Sequence, residues 1–206
     1  MNKVLLGLVL LLSFSSAYAG GCFDKVSDVD DCRVKAEQGH AVAQFNLGWL
    51  YHSGKGVLQD YKQALKWYRK AAEQGQADAQ FNLGNMYEGG VGVLQDYKQA
   101  VKWWRKAAEQ GDATAQYNLG VLYREGLGVL QDYKQAVKLH RKAAEQGHAN
   151  AQVNLGVSYY NGEGVIQDDV MAHMYWNVAA VSGNKLAAKN RGIIAKKMTP
   201  SQLAEA

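Results

Sequence analysis

Three ladders of glycine run through this chain at a single spacing. Glycines at 39, 75, 111, 147 and 183 stand 36 residues apart, as do Gly48, Gly84, Gly120, Gly156 and Gly192, and again Gly56, Gly92, Gly128 and Gly164. A period of this length means a stack of supersecondary units, each too small to bury a core alone, held together by its neighbours. The string Leu-Gln-Asp-Tyr recurs unchanged from positions 58, 94 and 130. That points to duplication of one unit, so sameness between units says little about function.

Each unit divides into two helical patterns around a glycine-rich turn. From Ala41 to His52 the apolar residues Ala43, Leu47, Leu50 and Tyr51 fall on one helical face. Gly54-Lys55-Gly56 ends that helix, since glycine readily takes the left-handed conformation of a helix terminus. Asp60 is placed to cap the next helix, its carboxylate accepting from a free backbone amide at the positive end of the dipole. The second helix sets Tyr61, Ala64, Trp67, Tyr68, Ala71 and Ala72 along one stripe, and Gly75 stops it. Short helices with one apolar face must bury it against each other. Gly48, Ala64, Ala71 and their equivalents are the gaps into which rings of the Tyr51 and Tyr68 type fit, each worth about 3 kcal/mol when fully buried.

Composition agrees with a helical globular chain: 206 residues, 48% hydrophobic, one proline. The formal charge of +4 is too weak to imply nucleic acid as a partner. Residues 1–19 differ from the rest, with Lys3 ahead of an apolar run from Val4 to Leu12 and then Ala17-Tyr18-Ala19. This reads as a signal peptide cut after Ala19, because the run is far short of the roughly 20 residues a membrane-spanning helix needs. A periplasmic or secreted location follows, with no transmembrane span in the mature chain. Cys22 and Cys32 are the only cysteines, and in an oxidising compartment they are expected to pair, closing a short loop worth about 2 to 3 kcal/mol. The rival fate for Cys22 is lipidation, against which Ala19 stands where a leucine usually precedes a lipid-modified cysteine.

The motif residues, Ala43-Gln44 through Leu47-Gly48, Tyr51, Gly54-x-Gly56-Val57, Gln59-Asp60-Tyr61, Ala64, Trp67-Tyr68 and Ala71-Ala72-Glu73-Gln74-Gly75, resemble the Sel1-like repeat, a relative of the tetratricopeptide repeat. The resemblance implies an all-α fold, a right-handed superhelical α-solenoid of antiparallel helix pairs. It divides the chain into a half-repeat at 20–39, four repeats at 40–75, 76–111, 112–147 and 148–183, and capping helices at 184–206. In the fourth repeat Asn177, Val178 and Val181 replace Arg69, Lys70 and Glu73, an apolar turn that predicts a covering element. Thr199-Pro200-Ser201-Gln202 reads as a capping box with proline at the first helical position.

Related tetratricopeptide solenoids line a concave groove with first-helix residues. Carried over, that groove takes Phe45, Trp49 and His52 from the first repeat, Phe81, Asn85 and Glu88 from the second, Tyr117, Val121 and Arg124 from the third, and Tyr160 from the fourth. Aromatic anchors among mixed charges suit a protein or peptide partner. The alternative is that Phe45, Phe81 and Tyr117 pack between adjacent first helices. Asn46, Asn82, Asn118 and Asn154 form a further row, able to bond a peptide backbone or to bond neighbouring loops. The chain is thus expected to be a monomeric, non-enzymatic scaffold without cofactor or metal, or else a host-directed factor built on the same binding surface. Ser182-Gly183-Asn184-Lys185 has the Ser-x-x-Lys spacing of penicillin-recognising enzymes, but Gly183 interrupts it and no Ser-Asp-Asn or Lys-Thr-Gly follows. The five histidines show no metal-ligand spacing, and the Gly-x-Gly turns lack a dinucleotide site's third glycine. Lys62, Lys66, Arg69 and Lys70, repeated in the next units, make the second helices basic, a solvated face or a site for anionic lipid or polysaccharide.

Overall fold

A computed structural model describes residues 28–205; the segment at 1–19 expected to be a signal peptide, and Cys22, lie outside them. The described chain runs α1 (Asp28–Glu37), α2 (Ala41–Ser53), α3 (Tyr61–Glu73), α4 (Ala77–Gly89), α5 (Tyr97–Glu109), α6 (Ala113–Glu125), α7 (Tyr133–Glu145), α8 (Ala149–Asn161), α9 (Asp169–Val181), α10 (Lys185–Ala195) and α11 (Pro200–Glu205). From α1 to α10 each helix packs on the next in sequence, and α11 turns back to touch α9, so the molecule is an α-solenoid of helix pairs. Even-numbered first helices stand on one face and odd-numbered second helices on the other.

The capping chemistry follows the sequence. Asp60 accepts from the amides of Lys62 and Gln63, and Asp96, Asp132 and Asp168 each accept from an amide three residues on. At the far end of the chain Thr199 and Gln202 bond reciprocally, 2.9 and 3.3 Å, which is the expected capping box. The turn inside each pair is closed by its own backbone: the amides of Asp60, Asp96, Asp132 and Asp168 donate to the carbonyls of Tyr51, Tyr87, Tyr123 and Tyr159 at 2.8 to 2.9 Å.

Close approach within each pair depends on the second glycine ladder. A Cβ on Gly48 would lie 2.7 Å from the Tyr68 ring, one on Gly84 2.3 Å from Trp104, one on Gly120 2.6 Å from His140 and one on Gly156 2.4 Å from Trp176. The second helix therefore sets a ring directly against the bare backbone of the first. The third ladder works between units: Gly92, at φ +70, would put a Cβ 2.7 Å from the Tyr61 carbonyl of the preceding unit.

Polar side chains fasten unit to unit. Gln44, buried on α2, donates to the Ala36 carbonyl of α1 at 3.0 Å, while its own oxygen accepts from Gln74 at 2.7 Å. Gln80 with Gln110, and Gln116 with Gln146, repeat the arrangement. One glutamine thus joins three consecutive helices. In the fourth repeat Ser182 stands in the place of Gln74 and is too short to reach, so Gln152 keeps its bond to Ala144 but its buried Oε1 has no hydrogen-bond partner among the described residues. A second row of bonds runs from Arg69, Arg105 and Arg141 to the hydroxyls of Tyr87, Tyr123 and Tyr159 in the following unit, 2.5 to 3.0 Å.

The cover expected over the outer side of α9 is incomplete. Arg191 of α10 donates to Asn177 at 2.7 Å, yet Val181 is 82% exposed and Val178 is also open. Helix α10 satisfies the polar replacement and leaves the apolar ones bare among the described residues.

Three stability measurements follow. Gly84→Ala should cost about 1 to 3 kcal/mol by overpacking Trp104, whereas Gly192→Ala, whose Cβ meets nothing within 4 Å, should gain about 0.5 to 1 kcal/mol as an ordinary helix-interior replacement. Ser182→Gln should supply the donor that Gln152 lacks and stabilise by about 1 kcal/mol. Urea denaturation followed by circular dichroism reads all three.

Candidate functional site

In the first two repeats the ring resting on the first-helix glycine, Tyr68 or Trp104, also walls a space between that first helix and the next. Between α2 and α4 lies a cavity of 250 Å³ bounded by Trp49, His52, Tyr68, Asn82, Asn85 and Met86. Between α4 and α6 lies a second, of 230 Å³, bounded by Asn85, Glu88, Trp104, Tyr117, Asn118 and Val121. Asn85 belongs to both. The structure therefore brings together most of the first-helix residues singled out in the first three repeats. Tyr68 and Trp104 complete the walls and escaped the sequence reading, because their apolar stripe marks them as packing residues; their 36-residue spacing opposite the glycine ladder was the available signal.

Not every selected residue faces an opening. Phe45 packs on Tyr68, ring centroids 5.7 Å apart, and Phe81 is half-buried with its carbonyl accepting from the Trp104 indole at 3.2 Å. Arg124 is paired with Glu125 at 2.9 Å. Tyr160 is taken by the carboxyl-terminal end, its hydroxyl accepting from Lys197 at 3.0 Å and its ring 5.8 Å from Trp176. The lysine's exposed amine is held above its ordinary pKa first by that bond.

The asparagine row splits the same way. Asn46 is buried, and Asn154 Nδ2 lies 3.4 Å from His140 Nε2. Asn82 and Asn118 line the two cavities, half-buried, with no hydrogen bond to the described residues. Their amides offer both donor and acceptor to an incoming chain.

His140 takes the ring position of Tyr68, Trp104 and Trp176 in the third repeat. It is fully buried, its Nδ1 has no hydrogen-bond partner among the described residues, and Tyr117 lies 5.8 Å away, itself stacked on His148 at 4.7 Å. Burial first, and the Arg124 charge second, lower the His140 pKa from 6.5 to about 4. Burial also lowers that of His148.

No catalytic or metal arrangement emerges from these positions. Ser182 ends α9, Gly183 has φ +86, and Asn184 caps α10 before Lys185, so the serine and lysine share no helix. Among the described residues no cluster of His, Cys, Asp or Glu could hold a metal, and no helix is long and apolar enough to cross a membrane. Cys32 is buried with its thiol 3.6 Å from the Ala43 carbonyl; its pairing with Cys22 falls outside the described residues.

Repeated 36-residue helix pairs closed by a glycine-on-ring contact define a repeat solenoid of the tetratricopeptide-like class. The Sel1 repeat profile matches residues 41–76, 77–112, 113–148 and 149–184, and the chain belongs to the Sel1 repeat family. Among solved structures it is similar to a protective antigen of uropathogenic Escherichia coli strains displaying an SLR fold, at 44% identity and a TM-score of 0.79, over 82% of this chain and 36% of that one. It is also similar to a Sel1 repeat protein from Oxalobacter formigenes, at 38% identity and a TM-score of 0.72, over 81% of this chain and 66% of that one. Cysteine rich protein B of Helicobacter pylori shares the fold at 24% identity and a TM-score of 0.50, over 64% of this chain and 97% of that one. The chain thus spans about a third of the length of the first and about two thirds of the second. No curated protein matches it.

The buried imidazole makes stability depend on pH. The unfolded chain takes up a proton near pH 6.5 that folded His140 refuses until about pH 4. Stability is therefore full above pH 6.5 and falls as pH drops towards 4, by about 3 kcal/mol in all. Urea midpoints at pH 7 and pH 4.5 should differ less in His140→Trp than in the parent chain.

Proposed function

We propose that this chain is an exported, non-enzymatic scaffold that holds an extended segment of a protein partner along its first-helix face. The observation that carries the reading is the pair of adjoining cavities sharing Asn85, each with an aromatic wall and an unbonded asparagine amide one repeat from the next. Rigid rings supply contact area at small entropic cost, and amides at repeat spacing pair with a peptide backbone without demanding a sequence. Side chains that differ from unit to unit, Trp49 against Asn85 against Val121, then choose the partner.

Export rests on the residue pattern of positions 1–19, and a Cys22–Cys32 disulfide would suit that destination. Identity to an antigen favours a second reading, in which the same face engages a host protein outside the cell. Immunodetection in periplasmic extract against culture supernatant separates the two.

Affinity capture from an envelope fraction tests the binding itself. Asn82→Ala/Asn118→Ala removes two amides that support nothing inside the protein, so helicity should be unchanged while a partner held by the parent chain is released at least tenfold faster. Equal retention by both would end the reading for this face.

A further inference from the structure

The second-helix face carries a charge pattern that the first-helix groove does not use. Helices α3, α5 and α7 each bear four Lys or Arg and a single Glu, whereas α9 bears neither Lys nor Arg. All twelve cations are exposed, and among the described residues none lies within ion-pair distance of a carboxylate. On α3 and α5 some of them lie over aromatic rings instead: Lys70 sits 4.5 Å over Trp67 and Lys106 5.0 Å over Trp103. The face thus gathers positive charge far beyond the formal +4 of the whole chain.

Between α5 and α7 this charge rims a trough. One part, of 530 Å³, is bordered by Lys98, Lys102, Arg105 and Lys106, and the adjoining part, of 200 Å³, by Lys138 and Lys142. Arg105 and Glu109 are common to both. The trough's apolar surface comes from Val101, Val129, Tyr123 and Leu139. Its border follows α5 from Lys98 to Glu109, three turns or about 16 Å.

We propose that this trough is a second docking site, and that it takes an acidic amphipathic helix of about three turns from a partner protein. Carboxylates on the partner's flanks meet the lysine rim, and its aliphatic side chains, at helical spacing, cover the apolar floor. The floor argues against a purely hydrophilic polyanion, whose hydroxyls would be desolvated there without partners. Against a bilayer, Trp67 and Trp103 are 6% and 4% exposed beneath the lysines, and the open aliphatic side chains Leu58, Leu94 and Leu130 stand in the turns ahead of α3, α5 and α7, not on the helices that rim the trough. The same cover keeps those indoles from stacking on bases.

Fluorescence anisotropy tests this with a labelled 14-residue peptide of leucine and glutamate, leucines at i, i+3, i+4 and i+7. It is compared with a glutamate-only peptide of equal charge, heparin, and vesicles of phosphatidylglycerol and phosphatidylethanolamine. The leucine-bearing peptide should bind the purified chain at least tenfold more tightly than the glutamate-only one. Lys138→Glu/Lys142→Glu should lose at least tenfold in affinity at unchanged helicity, Leu139→Ser severalfold, and Asn82→Ala/Asn118→Ala nothing. The proposal is overturned if the glutamate-only peptide or heparin binds equally well, if vesicles displace the peptide, or if only the asparagine variant weakens binding. That last result would place the peptide in the first-helix groove, so the two sites fail or stand separately.

Discussion

Everything in this molecule depends on the contact of a ring with a bare helix backbone. Tyr68, Trp104, His140 and Trp176 each lie where a Cβ on the facing glycine would be under 3 Å away, and that closeness sets the distance between the two helices of a pair. From it follows the rest of the geometry. The ring, fixed on one side by the glycine, becomes on its other side the wall of a space between successive first helices. A structural necessity inside the pair thereby produces, in the first two repeats, two adjoining cavities walled by Tyr68 and by Trp104.

Between pairs the bonds are polar, and they show how a repeat array ends. A buried glutamine with both ends of its amide engaged ties three helices, and an arginine reaching the next tyrosine adds a second tie. A buried amide with one end empty is costly, and Gln152 bears that cost because Ser182 cannot reach it. Likewise α9, lacking the arginine, accepts a bond from α10 instead. The array is regular where duplication has kept it so and loses bonds where the last unit has diverged.

The two faces differ in chemistry because they differ in construction. First helices present variable side chains over shared cavities, suited to an extended chain; the second helices α3, α5 and α7 present repeated lysines, over buried tryptophans in α3 and α5, suited to negative charge. Nothing in this division requires catalytic residues, and the one serine–lysine spacing in the chain is split across two helices by Gly183.

The sequence alone determined the period, both helices of every pair, the aspartate caps, the closing capping box and the role of the Gly48 ladder. These are local or strictly periodic facts: a face repeats every 3.6 residues and a unit every 36, so the pattern is written in the order of residues. Only the tertiary structure decided which first-helix residues reach an opening. Trp49, Asn85 and Tyr117 line cavities, Phe45 is spent on Tyr68, and Tyr160 is claimed by Lys197. It also decided that Val181 stays bare and that the lysines of α5 and α7 rim one trough. Each of these outcomes depends on how one pair is set against the next, and no helical period within a unit encodes that relation.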